Sequence, residues 1–140
     1  MSEQNKSIVR RSFEELFTQG KLAVADDVFA PEYVGHDPAL PQDIRGPEQF
    51  KQFVMMYRNA FPDLALTIED QIAEGDEVVT RFTARGTHRG ELMGILPTGK
   101  KVVVTGISID RMKNGKSVES WTNYDMLSML QQLGVVRSAA

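Results

Sequence analysis

Apolar residues recur at helical spacing through the first third of the chain. The first such pattern consists of Ile8, Val9, Phe13, Leu16 and Phe17. It predicts an amphipathic helix that ends at Gly20, and a second short helix is expected over 22–29. A third helix is predicted to open at Pro47, because proline is favoured in the first turn. The stretch 33–47 is rich in proline and glycine and is expected to be mostly loop.

From Leu64 onward the apolar period changes from that of a helix to two. Four alternating runs, 64–69, 77–88, 100–112 and 116–124, predict strands. A closing helix is expected over 126–133. Asp125 is interpreted as its N-cap rather than as a catalytic acid, and Gly134 as its stop.

The register of the last predicted hairpin decides which side chains face each other. Gly115 suits the left-handed third position of a three-residue loop. We expect that loop, which pairs Ser108 with Ser120 and Gly106 with Thr122. A two-residue Asn-Gly turn is the alternative, and it shifts the register by one residue.

Helices followed by antiparallel hairpins indicate an α+β fold. The third strand is long, and Gly106 in its middle indicates a bend or a bulge. Such a curved antiparallel sheet, with helices on its concave face, would form a cone around an apolar pocket. The length of 140 residues fits a single domain over 1–140.

The composition excludes several classes of function. The chain has no cysteine, two histidines and a net charge of −3, without a basic run. Disulfides and thiolate chemistry are excluded, and neither a metal site nor a nucleic-acid partner is expected. The N-terminus is polar, and no apolar stretch reaches the roughly 20 residues of a membrane span. We therefore expect a soluble cytoplasmic protein with no membrane partner.

The chain resembles one known family from Ile8 to Gly134, and four motifs between 61 and 134 carry most of the resemblance. They are FPD (61–63), GTHRGELMGILPTGK (86–100), NGKSVESW (114–121) and QQLG (131–134). These motifs are similar to those of the SnoaL-like polyketide cyclases, which belong to the nuclear-transport-factor-2-like superfamily. The resemblance implies the α+β cone, a small hydrophobic ligand, and intramolecular aldol closure of a polyketide methyl ester without a cofactor. Isomerases, hydrolases, hydroxylases and binding proteins share the superfamily, so the fold alone does not decide the function.

The chain departs from the family at the position where the resemblance implies the catalytic acid. The family motif is Glu-His-Trp-Asp, with the aspartate as general acid/base. This chain has Ser120 at the histidine position and Thr122 at the aspartate position. A threonine hydroxyl titrates far above neutral pH and does not replace a carboxylate as proton carrier. The first hypothesis is a cofactor-independent cyclase, isomerase or hydrolase that binds a small hydrophobic carbonyl compound in the pocket. The alternative is a non-catalytic ligand-binding or accessory protein that has lost the catalytic acid.

Two other residues have the chemistry to carry a proton. His36 is a candidate base with a pKa near neutrality. Asp110 is the other, because burial in an apolar pocket would raise the pKa of its carboxyl. The structural alternatives are a histidine bonded to the loop backbone and an aspartate at a solvated rim. The residues expected to contact the ligand are Tyr57, Phe82, Ser108, Ser120 and Thr122.

The strand face opposite these hydroxyls carries large apolar side chains. Ile107, Ile109 and Trp121 are predicted to lie there, with Arg111 pairing Glu119. An apolar outer face needs cover, which a second copy of the chain would supply. We therefore predict a homodimer.

Overall fold

The computed structural model describes residues 2–137. Helix α1 (Ser2–Arg11) continues as a π-helical segment (Ser12–Thr18) and is followed by α2 (Val24–Val28). Strand β1 (Phe29–His36) and the short β2 (Ile44–Arg45) precede helix α3 (Gly46–Ala60). The remaining elements are β3 (Ala65–Glu74), β4 (Glu77–Thr87), β5 (Lys101–Lys113), β6 (Lys116–Tyr124) and α4 (Met126–Gln132).

The strands form one curved, unclosed sheet in the order β2-β1-β6-β5-β4-β3. Neighbouring strands are antiparallel except β1 and β6, which pair in parallel. The predicted α+β fold with a curved antiparallel sheet is confirmed, and β1 with β6 is the one parallel pair among residues 2–137. Within residues 2–137, no helix is long and apolar enough to span a membrane.

The segment expected to be loop contains strand structure instead. Residues 33–36 complete β1, and 44–45 form β2. Pro31 and Gly35 obscured this strand, because both residues usually indicate a break in regular structure. The second helix is correspondingly shorter than expected, since Phe29 already belongs to β1.

The predicted ends of the first and last helical patterns are confirmed. Gly20 has a φ of +71° and Gly134 a φ of +80°, a conformation that favours glycine. The Asp125 carboxylate accepts a hydrogen bond of 3.0 Å from the Ser128 amide, so Asp125 is the N-cap of α4.

The expected three-residue loop of the last hairpin is wrong. Lys113 pairs with Lys116, leaving a two-residue turn of Asn114 and Gly115, whose φ values are +54° and +78°. Positive φ at both positions is the geometry of a type I′ turn, which matches the twist of the strands.

A β-bulge beyond that turn shifts the register once more. Pairing passes from Met112 with Ser117 to Arg111 with Glu119. The final register differs from the expected one by two residues, so every side chain keeps its predicted face. The partners change: Ser108 lies opposite Thr122, and Asp110 opposite Ser120.

Gly106 has a different role from the one expected. The ladders on both sides of it are continuous, so the bulge lies elsewhere. A Cβ atom at Gly106 would lie 2.6 Å from the Phe82 ring and 2.8 Å from the Tyr124 Cβ. Glycine is needed here because these two aromatic residues occupy the space.

The helices cover the concave face of the sheet. Val9 and Phe13, from the first helical stretch, pack against Val78, Phe82 and Met112 of the strands. The inner face of the sheet therefore belongs to the core, and the opposite face is left uncovered.

Candidate functional site

A cavity lies between the concave face of the sheet and the helices. All seven phenylalanines and all three tyrosines of the chain contribute to its lining. The space between its walls, counted out to the open mouth, is about 1010 Å³. Mostly apolar walls with a few polar groups are typical of small-molecule sites.

The polar groups of the cavity form a stripe on β5 and β6. It consists of four side chains that alternate along the two strands on the face predicted to point inward: Ser108, Asp110, Ser120 and Thr122. Because the register pairs Ser108 with Thr122 and Asp110 with Ser120, the four side chains form two neighbouring rows. The position that the family resemblance assigns to the acid, Thr122, therefore faces the cavity together with Asp110.

Asp110 is a buried carboxyl in this apolar surrounding. Only 6% of the residue is exposed, and its Oδ2 accepts a hydrogen bond of 2.8 Å from the Ser117 hydroxyl. Burial raises the pKa of Asp110 to about 6, and the bond from Ser117 opposes part of this rise. A carboxyl with such a pKa exchanges protons near neutral pH, as a general acid or base must.

The hydroxyls around Asp110 differ in their bonding. Ser120 is hydrogen-bonded to the hydroxyl of Tyr33, which β1 places beside it. The Ser108 hydroxyl is buried and has no hydrogen-bond partner among residues 2–137. An unpaired buried hydroxyl is costly in free energy, so Ser108 is available to a polar ligand group.

The other two predicted ligand contacts also line the cavity. Phe82 projects from β4 beside Gly106 and packs on Phe13, with ring centroids 5.1 Å apart. Tyr57 lies on the buried face of α3, and its hydroxyl is hydrogen-bonded to that of Tyr124.

The structure does not bring the imidazole of His36 together with Asp110. Gly35 pairs with Ser120 on the cavity side, whereas His36 pairs with Trp121. The imidazole bonds to Glu119 at 2.7 Å and to Asp43 at 3.2 Å, and it stacks on the Trp121 ring. The hydrogen bond to Glu119 raises the pKa of His36. Part of His36 contributes to the cavity lining. Both nitrogens of its ring, however, are bonded to these two acids.

Asp37 is a cavity residue that the sequence analysis missed. It is 8% exposed, its Oδ1 accepts a 2.9 Å hydrogen bond from the Ala39 amide, and burial raises the pKa of its carboxyl. Its Oδ2 is buried without a hydrogen-bond partner among residues 2–137. The change from apolar to polar residues after Val34 was the one sequence feature that indicated a polar site here. It was not recognised because 33–47 was interpreted as loop.

His88 and Asp125 have structural roles. The buried His88 ring accepts a hydrogen bond of 3.2 Å from the Thr98 amide and contacts the Thr98 hydroxyl at 3.0 Å. The His88 ring therefore holds the loop at Thr98 in place. Among residues 2–137, no three histidine or acidic side chains are grouped as ligands for a metal ion.

Comparisons with known proteins place this chain in one family. The family model of the SnoaL-like polyketide cyclases matches residues 7–133. The aklanonic acid methyl ester cyclase AcmA of Streptomyces galilaeus is 31% identical over 137 residues, covering 96% of this chain and 92% of the relative.

Solved structures of SnoaL-like proteins have the same fold as this chain. A SnoaL-like protein from Jannaschia sp. CCS1 superposes with a TM-score of 0.88 at 25% identity, covering 96% of this chain and 94% of the other. IdmH from Streptomyces antibioticus superposes with a TM-score of 0.82 at 34% identity, covering 94% and 99%. The chain therefore belongs to the SnoaL-like polyketide cyclase family.

Proposed function

We propose that the protein is a cofactor-independent cyclase that binds a small hydrophobic carbonyl compound in the central cavity, with Asp110 as its general acid/base. The observation that carries this proposal is the buried Asp110 carboxyl among aromatic cavity walls. The curated relatives, which are polyketide methyl ester cyclases, support the reaction type.

The proposed reaction is an intramolecular aldol closure. At neutral pH most Asp110 side chains are ionised, because the pKa of about 6 lies below pH 7. The carboxylate takes a proton from a carbon next to a carbonyl, and the electron pair moves onto the carbonyl oxygen as an enolate. The enolate carbon then attacks a second carbonyl of the same molecule, and the resulting alkoxide takes the proton back from Asp110. The product is an isomer of the substrate, so no oxidant or co-reactant is needed.

In this proposal the acid has moved from one strand to its neighbour. The family position on β6 is Thr122, whereas Asp110 lies on β5 opposite Ser120. The two rows are two residues apart, which is about 7 Å along a strand. A ligand in the cavity is therefore within reach of a carboxyl although Thr122 has none.

The test is ring closure of aklanonic acid methyl ester, the substrate class named for a relative, followed by absorbance. Replacing Asp110 with Asn removes the titrating group and should lower kcat by about 10²–10⁴-fold. Asp70, an exposed aspartate of β3, supplies the matched control, and Asp70→Asn should leave kcat unchanged. Equal rates for Asp110→Asn and the natural protein would contradict the assignment.

A second function is favoured by Thr122 itself. If the missing aspartate has not been replaced, the protein binds the ligand without converting it. The natural protein and Asp110→Asn would then bind the ester with equal Kd, and neither would close the ring. Thr122→Asp would then create the activity.

We also propose that the protein is a homodimer joined through the uncovered face of the sheet. Trp121, Ile107 and Val103 lie on that face and are 39%, 49% and 48% exposed. An apolar surface of this kind is typical of a protein–protein interface. Arg111 and Glu119, which form an ion pair of 3.1 Å, would lie toward one end of the contact.

A further inference from the structure

A row of alternating charges lies beside Trp121, the aromatic residue of the outer sheet face. Four ion pairs connect the row: Arg45–Asp43 at 3.9 Å, Asp43–His36 at 3.2 Å, His36–Glu119 at 2.7 Å and Glu119–Arg111 at 3.1 Å. The row thus extends from β2 over β1 and β6 to β5, with His36 at its centre between two acids. Histidine is the member of this row whose charge changes near neutral pH.

The bonding of His36 requires a protonated ring. Its Nδ1 lies 3.2 Å from the Asp43 Oδ1, and its Nε2 lies 2.7 Å from the Glu119 Oε2. A carboxylate only accepts hydrogen bonds and a neutral imidazole has one N–H, so only the imidazolium donates to both acids. The hydrogen bond to Glu119, together with that to Asp43, raises the pKa of His36 above its ordinary 6.5. Loss of the proton leaves two acceptors facing each other at one of these bonds, and that bond is broken.

The same imidazole ring supports Trp121. The planes of the two rings are inclined by 26°, and their centroids lie 5.6 Å apart. A cation within about 6 Å of an indole face is attracted by the electrons of the ring, and a neutral imidazole lacks this attraction. The orientation of the Trp121 ring therefore depends on the charge of His36.

We propose that His36 makes the contact between two copies of the chain dependent on pH: its imidazolium holds the Trp121 ring in the orientation that the partner contacts, and deprotonation releases the ring and weakens the dimer. This inference rests on the proposed homodimer, because a monomer has no such contact to regulate. The cavity and Asp110 have no part in it, so the cyclase proposal is tested separately.

The two forms of His36 should differ in dimer affinity by about tenfold. A single exposed cation–π contact or ion pair contributes little. A dimer with twofold symmetry contains each contact twice, however, so two contributions add in its dissociation constant. Because the protonated form fixes Trp121, the dimer is tight below the pKa of His36 and becomes weaker as the pH rises through it.

Analytical ultracentrifugation at pH 6 and pH 9 tests this inference, with His36→Gln as the matched variant. The dissociation constant of the natural protein should rise about tenfold between the two pH values. A glutamine amide does not titrate, so the variant should show no such rise. Every other titrating group is present in both proteins, and the difference between them therefore belongs to His36. Circular dichroism at both pH values checks that each protein is folded.

Trp121 is the single tryptophan of the chain, so its fluorescence reports the charge of His36 without any dimer. Titration of a sample dilute enough to be monomeric should show a step with a midpoint above pH 6.5, and His36→Gln should lack that step. Asp43→Asn removes one acid from the ring and should lower the midpoint. Asp70→Asn, at an exposed aspartate of β3, is the control and should leave the midpoint unchanged.

The outcomes separate this inference from the proposed dimer. A natural protein that sediments as a monomer at micromolar concentration at both pH values refutes the dimer, and the regulation with it. A dimer whose affinity changes equally in the natural protein and in His36→Gln, or that is tighter at pH 9, overturns the role of His36 while the interface remains. The coupling of His36 to Trp121 is overturned if His36→Gln keeps the fluorescence step of the natural protein.

Discussion

In the middle of strands β5 and β6, the two faces of the sheet reverse the usual distribution of polar and apolar residues. Ser108 and Asp110 point inward and are 5% and 6% exposed, whereas Ile107 and Trp121 point outward and are 49% and 39% exposed. A half-buried sheet ordinarily places its apolar side chains toward the core. The reversal teaches that this stretch of sheet serves two surfaces, a reactive cavity on one side and, as we propose, a partner subunit on the other.

The largest expected effect breaks the outer side of this comparison. Trp121→Arg places a charge in the centre of the proposed interface and removes an aromatic anchor. Aromatic anchors often contribute 2 kcal/mol or more, and a desolvated charge adds to the loss, so we expect about 3 kcal/mol, or at least a 100-fold weaker dimer. Analytical ultracentrifugation measures the dissociation constant. Ile72, exposed near the far edge of the same face, provides the control Ile72→Arg, which should have a smaller effect.

A native protein that sediments as a monomer at micromolar concentration would refute the proposed dimer. The outward apolar residues would then be a surface without a partner.

The next effect sharpens the inner side of the comparison. The pKa of Asp110 is about 6 in the folded protein against 3.8 for the free side chain, so folding favours its protonated form. The associated stability is present below about pH 4 and is lost as the pH rises through about 6. Two pKa units correspond to about 3 kcal/mol, from which the lost bond to Ser117 subtracts about 1 kcal/mol.

Asp110→Asn should therefore stabilise the protein by about 2 kcal/mol at pH 7 while it removes the proposed activity. Near pH 4, where the natural carboxyl is largely protonated, the gain should be lost and the variant should be about 1 kcal/mol less stable than the natural protein, because only the lost Ser117 bond remains. Urea unfolding at both pH values measures this, with Asp70→Asn as the control. A destabilised Asp110→Asn at pH 7 would show that the ionised carboxylate is well solvated or paired.

The sequence was sufficient to predict both faces, and the reason is the period of two. The expected hairpin register was wrong by two residues, and an even shift returns Asp110 and Trp121 to their predicted sides. The cross-strand partners were not predictable, because the bulge between Arg111 and Met112 depends on packing and has no local sequence signal. The α+β class followed from the change of period near Leu64.

Asp37 and Tyr124 show where the sequence interpretation failed. Asp37 directly follows β1, a strand that Pro31 and Gly35 disguised and that exists because β6 pairs with it in parallel. The period of two already placed Tyr124 on the same face as Ser120 and Thr122, but the expected register put Thr122, and not Tyr124, opposite Gly106. The position of Asp37 depends on a long-range pairing, which no residue pattern within a single strand reveals.

The smallest expected effect concerns the turn that fixes the two faces. Gly115 has a φ of +78°, which costs a non-glycine residue roughly 1–2 kcal/mol, with β-branched side chains most affected. Gly115→Val should therefore lower the free energy of unfolding by about 1 kcal/mol and the Tm by a few degrees. Asn114→Gly is the matched control, because glycine accepts the φ of +54° there without strain, and its Tm should stay close to that of the natural protein. Calorimetry on the three proteins measures the differences. An unchanged Tm in Gly115→Val would mean that the hairpin adopts a different turn in solution. The cross-strand pairing of Asp110 with Ser120 would then have to be set by the bulge and by the packing of β6 on β1, with the turn merely following.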